Sequence, residues 1–228
     1  MERTVSPEWL DHLPPADPRA MRSRHDLRRV NAIMRNAHIV ARTLTGALEQ
    51  PPQCIVELGA GDGAWMAQLA CALPASWSGV RAVLLDRQDT VAGGTLAGLA
   101  RRGWAPEVVT ADAFDWLAEP GAQADVIVAN LFLHHFETGP LRALLALIAA
   151  RAGLFAACEP RRSSGALRAS RLLGLIGCNA VTRHDAVVSV RAGFAGTELS
   201  ASWPDRTGWR LEERAAGWFS HVLVAAST

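Results

Sequence analysis

Between residues 54 and 158 the chain alternates short apolar runs with longer segments in which apolar residues return every three or four positions. The runs fall at 54–58, 80–86, 107–111, 125–129 and 154–158, and the periodic segments at 64–72, 90–102, 114–117 and 141–152. Runs without a polar face suit strands covered on both sides, so strands alternating with helices predict an open α/β sheet that is mostly parallel. Ahead of it, Leu27, Val30, Ile33, Met34, Ala37, Val40, Ala41 and Leu44 recur at helical spacing within 21–48, which predicts one or two amphipathic helices. Residues 1–20 carry Pro7, Pro14, Pro15 and Pro18 without a period and read as an irregular arm around one turn near Trp9. Behind the sheet, 161–178 and 186–195 read as helical. Residues 209–216 and 221–226 read as two strands about the Gly217-Trp218-Phe219-Ser220 turn, a hairpin that adds an antiparallel strand.

The carboxyl ends of the five runs carry the chemistry. Gly59-Ala60-Gly61-Asp62-Gly63-Ala64 follows the first, Asp86 ends the second, and Asp112, Asn130 and Glu159 follow the third, fourth and fifth. Ligands of such sheets sit beyond the carboxyl ends of the strands. The glycine turn satisfies G-x-G-x-x-G/A, which alone does not separate a nicotinamide site from one for another adenosine-containing cofactor. Asp86, 23 residues after Gly63, suits the two hydroxyls of an unmodified ribose and repels a 2′-phosphate. Asp112 with the small Ala113 suits an adenine amino group beside room for the ring.

Composition narrows the classes. The 228 residues suit one α/β domain, residues 51–228, with an N-terminal arm and helical cap, residues 1–50. Lys+Arg 23 against Asp+Glu 22 gives +1, which offers no pull toward nucleic acid. Every one of those basic residues is arginine and tyrosine is absent, so the Tyr and Lys pair of a short-chain dehydrogenase is excluded. Cys54, Cys71, Cys158 and Cys178 form no C-x-x-C pair, and neither a metal site nor a disulfide framework is expected. The beginning of the chain lacks the pattern of a secretion signal, and the apolar stretch 141–157 is broken by Arg142 and Arg151. The chain therefore reads as cytoplasmic, without a membrane span, and its oligomeric state is not legible.

Taken together, Glu57-Leu58-Gly59-Ala60-Gly61-Asp62-Gly63, Asp86, Ala111-Asp112-Ala113, Ala129-Asn130-Leu131 and Leu133-His134-His135-Phe136 resemble the class I S-adenosylmethionine-dependent methyltransferases. The likeness is to the small-molecule, ubiquinone-biosynthesis-like type and runs from about Cys54 to the end of the chain. It implies a Rossmann-like, doubly wound sheet of about seven strands, mostly parallel, with the terminal hairpin as its sixth and seventh strands. It implies S-adenosyl-L-methionine as cofactor, with Glu57, Gly59, Ala60, Gly61 and Gly63 around its methionine part and ribose. Asp86, with Arg87 beside it, then takes the ribose, Asp112 and Ala113 flank the adenine, and Asn130 and Leu131 lie near the sulfonium.

The acceptor is expected to be a small molecule, in a pocket made by the N-terminal helices and the 161–178 segment. His134 and His135 are candidate bases for a hydroxyl acceptor, each with a loop-shaping role as its alternative. Arg35, Asn36 or His38 either reaches over the cofactor as part of a lid or belongs to helices that only cover a sheet edge. Arg35, Glu159 and His221 are candidate acceptor contacts, with a satisfied structural role as the alternative for Glu159 and His221, and arginines between 161 and 171 either steer an anionic acceptor or form a solvated helix face. The competing classes are a nicotinamide-dependent oxidoreductase and a non-catalytic binding module of the same fold.

Overall fold

A computed structural model describes residues 1–121 and 123–228. In chain order it has α1 (Trp9–His12), α2 (Pro18–Met34), α3 (Asn36–Ala47), β1 (Cys54–Leu58), α4 (Ala64–Ala72), β2 (Arg81–Asp86), α5 (Gly93–Arg101), β3 (Ala105–Thr110) and α6 (Ala113–Ala118). Then follow β4 (Ala124–Asn130), a 3-10 turn (Leu133–His135), α7 (Thr138–Arg151), β5 (Ala152–Pro160), α8 (Ser164–Arg171), α9 (Ala180–Ala192), β6 (Trp209–Ala216) and β7 (Ser220–Ser227).

The strands form one seven-stranded sheet in the order β3-β2-β1-β4-β5-β7-β6. β1 to β5 are mutually parallel, and β7 alone runs against its neighbours β5 and β6. All five residues of β1 are buried, which is why its sequence is an unbroken run and not an alternation. Its side chains nevertheless divide between two cores. Ile55 joins Val40 and Leu44 of α3 and Met66 and Leu69 of α4, while Val56 and Leu58 join Leu117 of α6 and Leu141, Leu144 and Ile148 of α7. Each such aliphatic side chain contributes about 1.5–3 kcal/mol on burial, so the two layers fix the strand ends from both sides.

Several boundaries differ from the sequence reading, each for a local reason. α7 starts at Thr138, before Pro140, because a proline in the first turn of a helix lacks only an amide that would be unpaired anyway. β3 starts at Ala105 and contains Pro106, which an edge strand tolerates. α5 starts at Gly93, because Thr90 is still loop and spends its hydroxyl on the Gly61 carbonyl at 2.8 Å. Residues 161–178 are not one helix: α8 ends at Arg171, and a 3-10 turn, Leu173–Ile176, stops at Gly177 with φ 80°. α9 is longer than the 186–195 segment, starting at Ala180 behind the Asn179 side chain, which accepts from the Thr182 amide at 2.8 Å. The 21–48 stretch is two helices, separated by Arg35 in the left-handed region with φ 57°. Among the described residues no helix is long and apolar enough to cross a membrane.

Candidate active site

A cavity of about 650 Å³ opens at the carboxyl ends of β1 to β4, inside the range of about 300–1,000 Å³ typical of small-molecule sites. Its floor is the turn after β1. The amides of Gly59 and Ala60 donate to the Leu85 carbonyl at 2.9 and 3.0 Å, tying the turn to the end of β2. Gly59 has φ 70°, and a Cβ there would stand 2.4 Å from Phe132 Cδ2, so only glycine lets the β4 loop pass so close. Gly63, φ 73°, lies outside the cavity lining and packs its backbone on Thr95 Cγ2 instead.

The carboxylates at the rim serve the loops as well as the cavity. Asp86 accepts from the Gly61 amide at 2.8 Å and from the Gln88 amide at 2.9 Å. A carboxylate offers about four acceptor positions, so Asp86 keeps capacity for two further donors. Asp112 caps α6 by accepting from the Phe114 amide at 2.8 Å, and its other oxygen is not used by that cap. Asn130 is 8% exposed and accepts through its Oδ1 from Asn36 Nδ2 at 3.0 Å. Asn36, which also accepts from the Ser220 hydroxyl, is thus the residue of the α2–α3 junction that reaches inward. Leu131 adopts φ 54°, a left-handed conformation that costs energy outside glycine and sits at the cavity wall.

Glu57 is 2% exposed, lines the cavity and has a buried Oε2 with no hydrogen-bond partner among the described residues. Burial first, then the charges of Asp62 and Asp86, push its carboxyl well above the usual range. An orphaned buried carboxyl facing a cavity is completed by a cationic or donor-bearing ligand group, which is the chemistry of an amino acid ammonium. The donor set therefore fits S-adenosyl-L-methionine.

The opposite wall is the Leu133–His135 turn and the N-terminal arm. Glu159 is fully buried and outside the lining; its Oε1 accepts from the Phe132 and Leu133 amides at 3.0 and 2.9 Å, and its Oε2 from the His134 amide at 3.3 Å and from His134 Nδ1 at 2.8 Å. His134 Nε2 lies 3.2 Å from Glu8 Oε1. Burial alone would lower the His134 pKa, but hydrogen bonds to Glu159 and Glu8 and their charges raise it to about 9, so both ring nitrogens donate at neutral pH. In this arrangement His134 is an imidazolium and accepts no proton. His135 is half-buried, with Nδ1 3.5 Å from Asp11 Oδ2. Glu8, His134 and His135 bring one donor atom each within 4.8 Å of one another, yet His134 has committed both nitrogens to carboxylates, which makes the trio a hydrogen-bonded cluster.

The cavity thus gathers Glu57, Gly59, Ala60, Gly61, Asp86, Arg87, Asp112, Ala113, Asn130, Leu131, His134 and His135. It does not include the three expected acceptor contacts. Arg35 is exposed at the α2–α3 junction, Glu159 is spent on the β4 loop, and His221 is 2% exposed and bound through Nε2 to Glu213 at 2.7 Å. Nor does it include any residue of 161–178; the outer wall comes from α2 and from residues the sequence left unassigned: Val5, Ser6, Pro7, Glu8, Leu10 and Asp11. No period marks those positions, because their placement follows from contacts with α9 far along the chain.

No family model matches the chain, and no curated protein matches it. Solved structures do. An O-methyltransferase family protein from Burkholderia thailandensis superposes with a TM-score of 0.64 at 18% identity, over 94% of this chain and 61% of that one. The plantazolicin methyltransferase BpumL, in complex with SAH, gives 0.68 at 11% identity over 93% and 92%. The mitomycin 7-O-methyltransferase MmcR gives 0.60 at 21% identity over 96% and 60%. The chain spans about three fifths of the length of the first and third. The fold is the Rossmann-like methyltransferase fold of these structures, a seven-stranded sheet with one antiparallel strand.

Proposed function

We propose that this chain is an S-adenosyl-L-methionine-dependent methyltransferase that methylates a hydroxyl on a small, flat, largely apolar molecule, with His134 taking the hydroxyl proton. The observation that carries the reading is one cavity with an unpartnered buried carboxyl, Glu57, on its sheet side and a carboxylate-held imidazole, His134, on its other side. When bound, the cofactor supplies an electrophilic methyl group for in-line transfer.

Everything else is asked of the chain's own residues. Glu57 receives the ammonium of the methionine part, Asp86 the ribose hydroxyls, and Asp112 the adenine amino group, with Ala113 leaving room for the ring and Arg87 at its margin. Asn130 and Leu131 stand between the two halves of the cavity and set where the reacting centre lies. Val5, Pro7, Leu10, Leu27, Phe132 and Phe136 supply the apolar and aromatic part of the lining on the acceptor side, which favours a planar molecule. Glu159 holds Nδ1, so Nε2, which faces Glu8 in the free chain, is the nitrogen that meets the acceptor once Glu8 has moved off with its proton. The O-methyltransferases among the structural neighbours support a hydroxyl acceptor, which gains more from a nearby base than a sulfur or activated carbon acceptor does. A second reading gives the base role to His135, because its Nδ1 faces one carboxylate and not two.

Calorimetry with S-adenosyl-L-methionine and with NAD tests the cofactor: binding of the first alone is expected, and binding of NAD alone would assign an oxidoreductase. Labelled methyl uptake across phenolic, heteroaromatic and acidic metabolites then tests the acceptor class, with phenols expected to be labelled.

A further inference from the structure

We propose that Glu8 is a built-in occupant of the acceptor position: the N-terminal arm holds its carboxylate on His134 Nε2, and an acceptor hydroxyl gains that nitrogen only by displacing it. This rests on His134 as the base, and it adds a gate that the base reading alone does not contain. The arm is fastened on both sides of Glu8. Before it, the Thr4 amide donates to the Arg191 carbonyl at 3.1 Å, and the Arg3 guanidinium donates to the Ala192 and Phe136 carbonyls at 2.7 and 2.8 Å. After it, the Trp9 and Leu10 amides donate to the Asp185 carboxylate at 2.8 and 3.0 Å, and the Trp9 ring stacks on His184 at 3.9 Å. Between these anchors the Glu8 carboxylate meets the Ser189 hydroxyl and His134 at the cavity wall.

The charged groups around the imidazole are Glu159 from β5 and Glu8 from the arm. The His135 ring lies beside it at 4.3 Å with Asp11 beyond, and the Arg3 guanidinium reaches the His134 carbonyl at 3.3 Å. The exchange balances in protons. Glu8 leaves with the Nε2 proton and gives it up to solvent as the one proton each methylation sets free; the bare nitrogen accepts the acceptor's O–H, and methylation of that oxygen passes the hydroxyl proton to Nε2. Turnover therefore ends with the imidazolium that draws the ionised Glu8 back and disfavours the product.

The test is a nitrogen-15 NMR titration of His134 in the full chain saturated with S-adenosylhomocysteine. Both Glu8→Gln and Asp185→Ala, the latter removing the acceptor of the Trp9 and Leu10 amides that holds the arm, are expected to shift the His134 titration down by about one pH unit or more. Diethyl pyrocarbonate at pH 7 is expected to spare Nε2 in the wild type and modify it in Glu8→Gln, which decides the matter should Asp185→Ala not fold. An unchanged titration and labelling pattern in Glu8→Gln would overturn the gate while cofactor binding stands. A wild type that ignores S-adenosylhomocysteine would instead overturn the functional reading.

Discussion

On the sheet side of the cavity the lining comes from Glu57, Gly59 to Asp62, Asp86 to Gln88, Asp112 and Asn130, each within a few positions of the end of a parallel strand. On the other side Glu8 meets His134 across 126 positions of sequence, and Ser189 meets Glu8 across 181. The first wall is made of short loops whose backbone is pinned by neighbouring strands, such as the Gly59 and Ala60 amides on Leu85. The second is made by side chains that bring separate segments together, above all Glu159, His134 and Glu8. The difference teaches that the wall proposed for the cofactor inherits its geometry from the sheet, whereas the wall proposed for the acceptor depends on a buried row of charges and is expected to fail if one is removed.

The largest effect is therefore expected at Glu159. Glu159→Ala leaves the buried His134 cation with one carboxylate and strips acceptors from three amides of the β4 loop. A loss of about 3–5 kcal/mol of stability follows, as for other broken buried ion pairs, read by denaturant unfolding. A loss below 1 kcal/mol would show that the acceptor wall is as self-supporting as the cofactor wall. Next comes His134→Gln, expected to lower turnover about 100-fold or more while leaving S-adenosylhomocysteine affinity unchanged. His135→Gln should cost far less; the reverse order would move the base role to His135.

The same buried row sets a pH dependence. His134 titrates near 9 in the folded chain against 6.5 for an ordinary histidine, so the folded state binds the extra proton. That stabilisation is fully present below about pH 6.5 and is lost as pH rises through about 9. Melting temperatures recorded from pH 6 to 10 should fall across that window in the wild type and fall less in His134→Gln.

The sheet and the cavity rim at its strand ends were legible because their signals are local. The unbroken run 54–58, the glycine turn and the acids at strand ends each declare themselves within ten residues, and the terminal hairpin does so through Gly217. The acceptor wall was not, for the same physical reason that separates the two halves. Nothing in the Pro-rich start of the chain signals that Trp9 and Leu10 find Asp185, so Glu8 and Asp11 could not be singled out. Glu159 and His221 could be weighed from sequence as acceptor contacts or as satisfied structural groups, and it is the second that the structure shows, but their buried partners, His134 and Glu213, could not be named. Of the three residues of the 21–48 helices that could reach inward, Arg35 and His38 are exposed, and only Asn36 reaches Asn130.

Within the cofactor wall, Glu57→Gln separates fold from ligand. Burial disfavours the charged form of this carboxyl and pushes its pKa well above the usual range, so the neutral amide should leave unfolding nearly unchanged. Affinity for S-adenosylhomocysteine should nevertheless drop about tenfold or more, because a hydrogen bond to a charged group is worth about 1.5–3 kcal/mol. Equal affinity would remove Glu57 from the site.

One ion pair joins the two halves directly. Arg28 of α2 reaches Asp62 of the glycine turn at 2.7 Å, with side chains 45% and 14% exposed. Such partly solvated pairs contribute about 0.2–1 kcal/mol and weaken with salt, so Arg28→Ala should lower stability only slightly, and less still at high ionic strength. Its effect on S-adenosylhomocysteine binding should be equally small, because the turn is already held by Leu85 and Asp86. A large, salt-insensitive loss of binding would mean that α2 holds the cofactor wall in shape, and the separation between a wall given by the sheet and a wall assembled from distant segments would no longer hold.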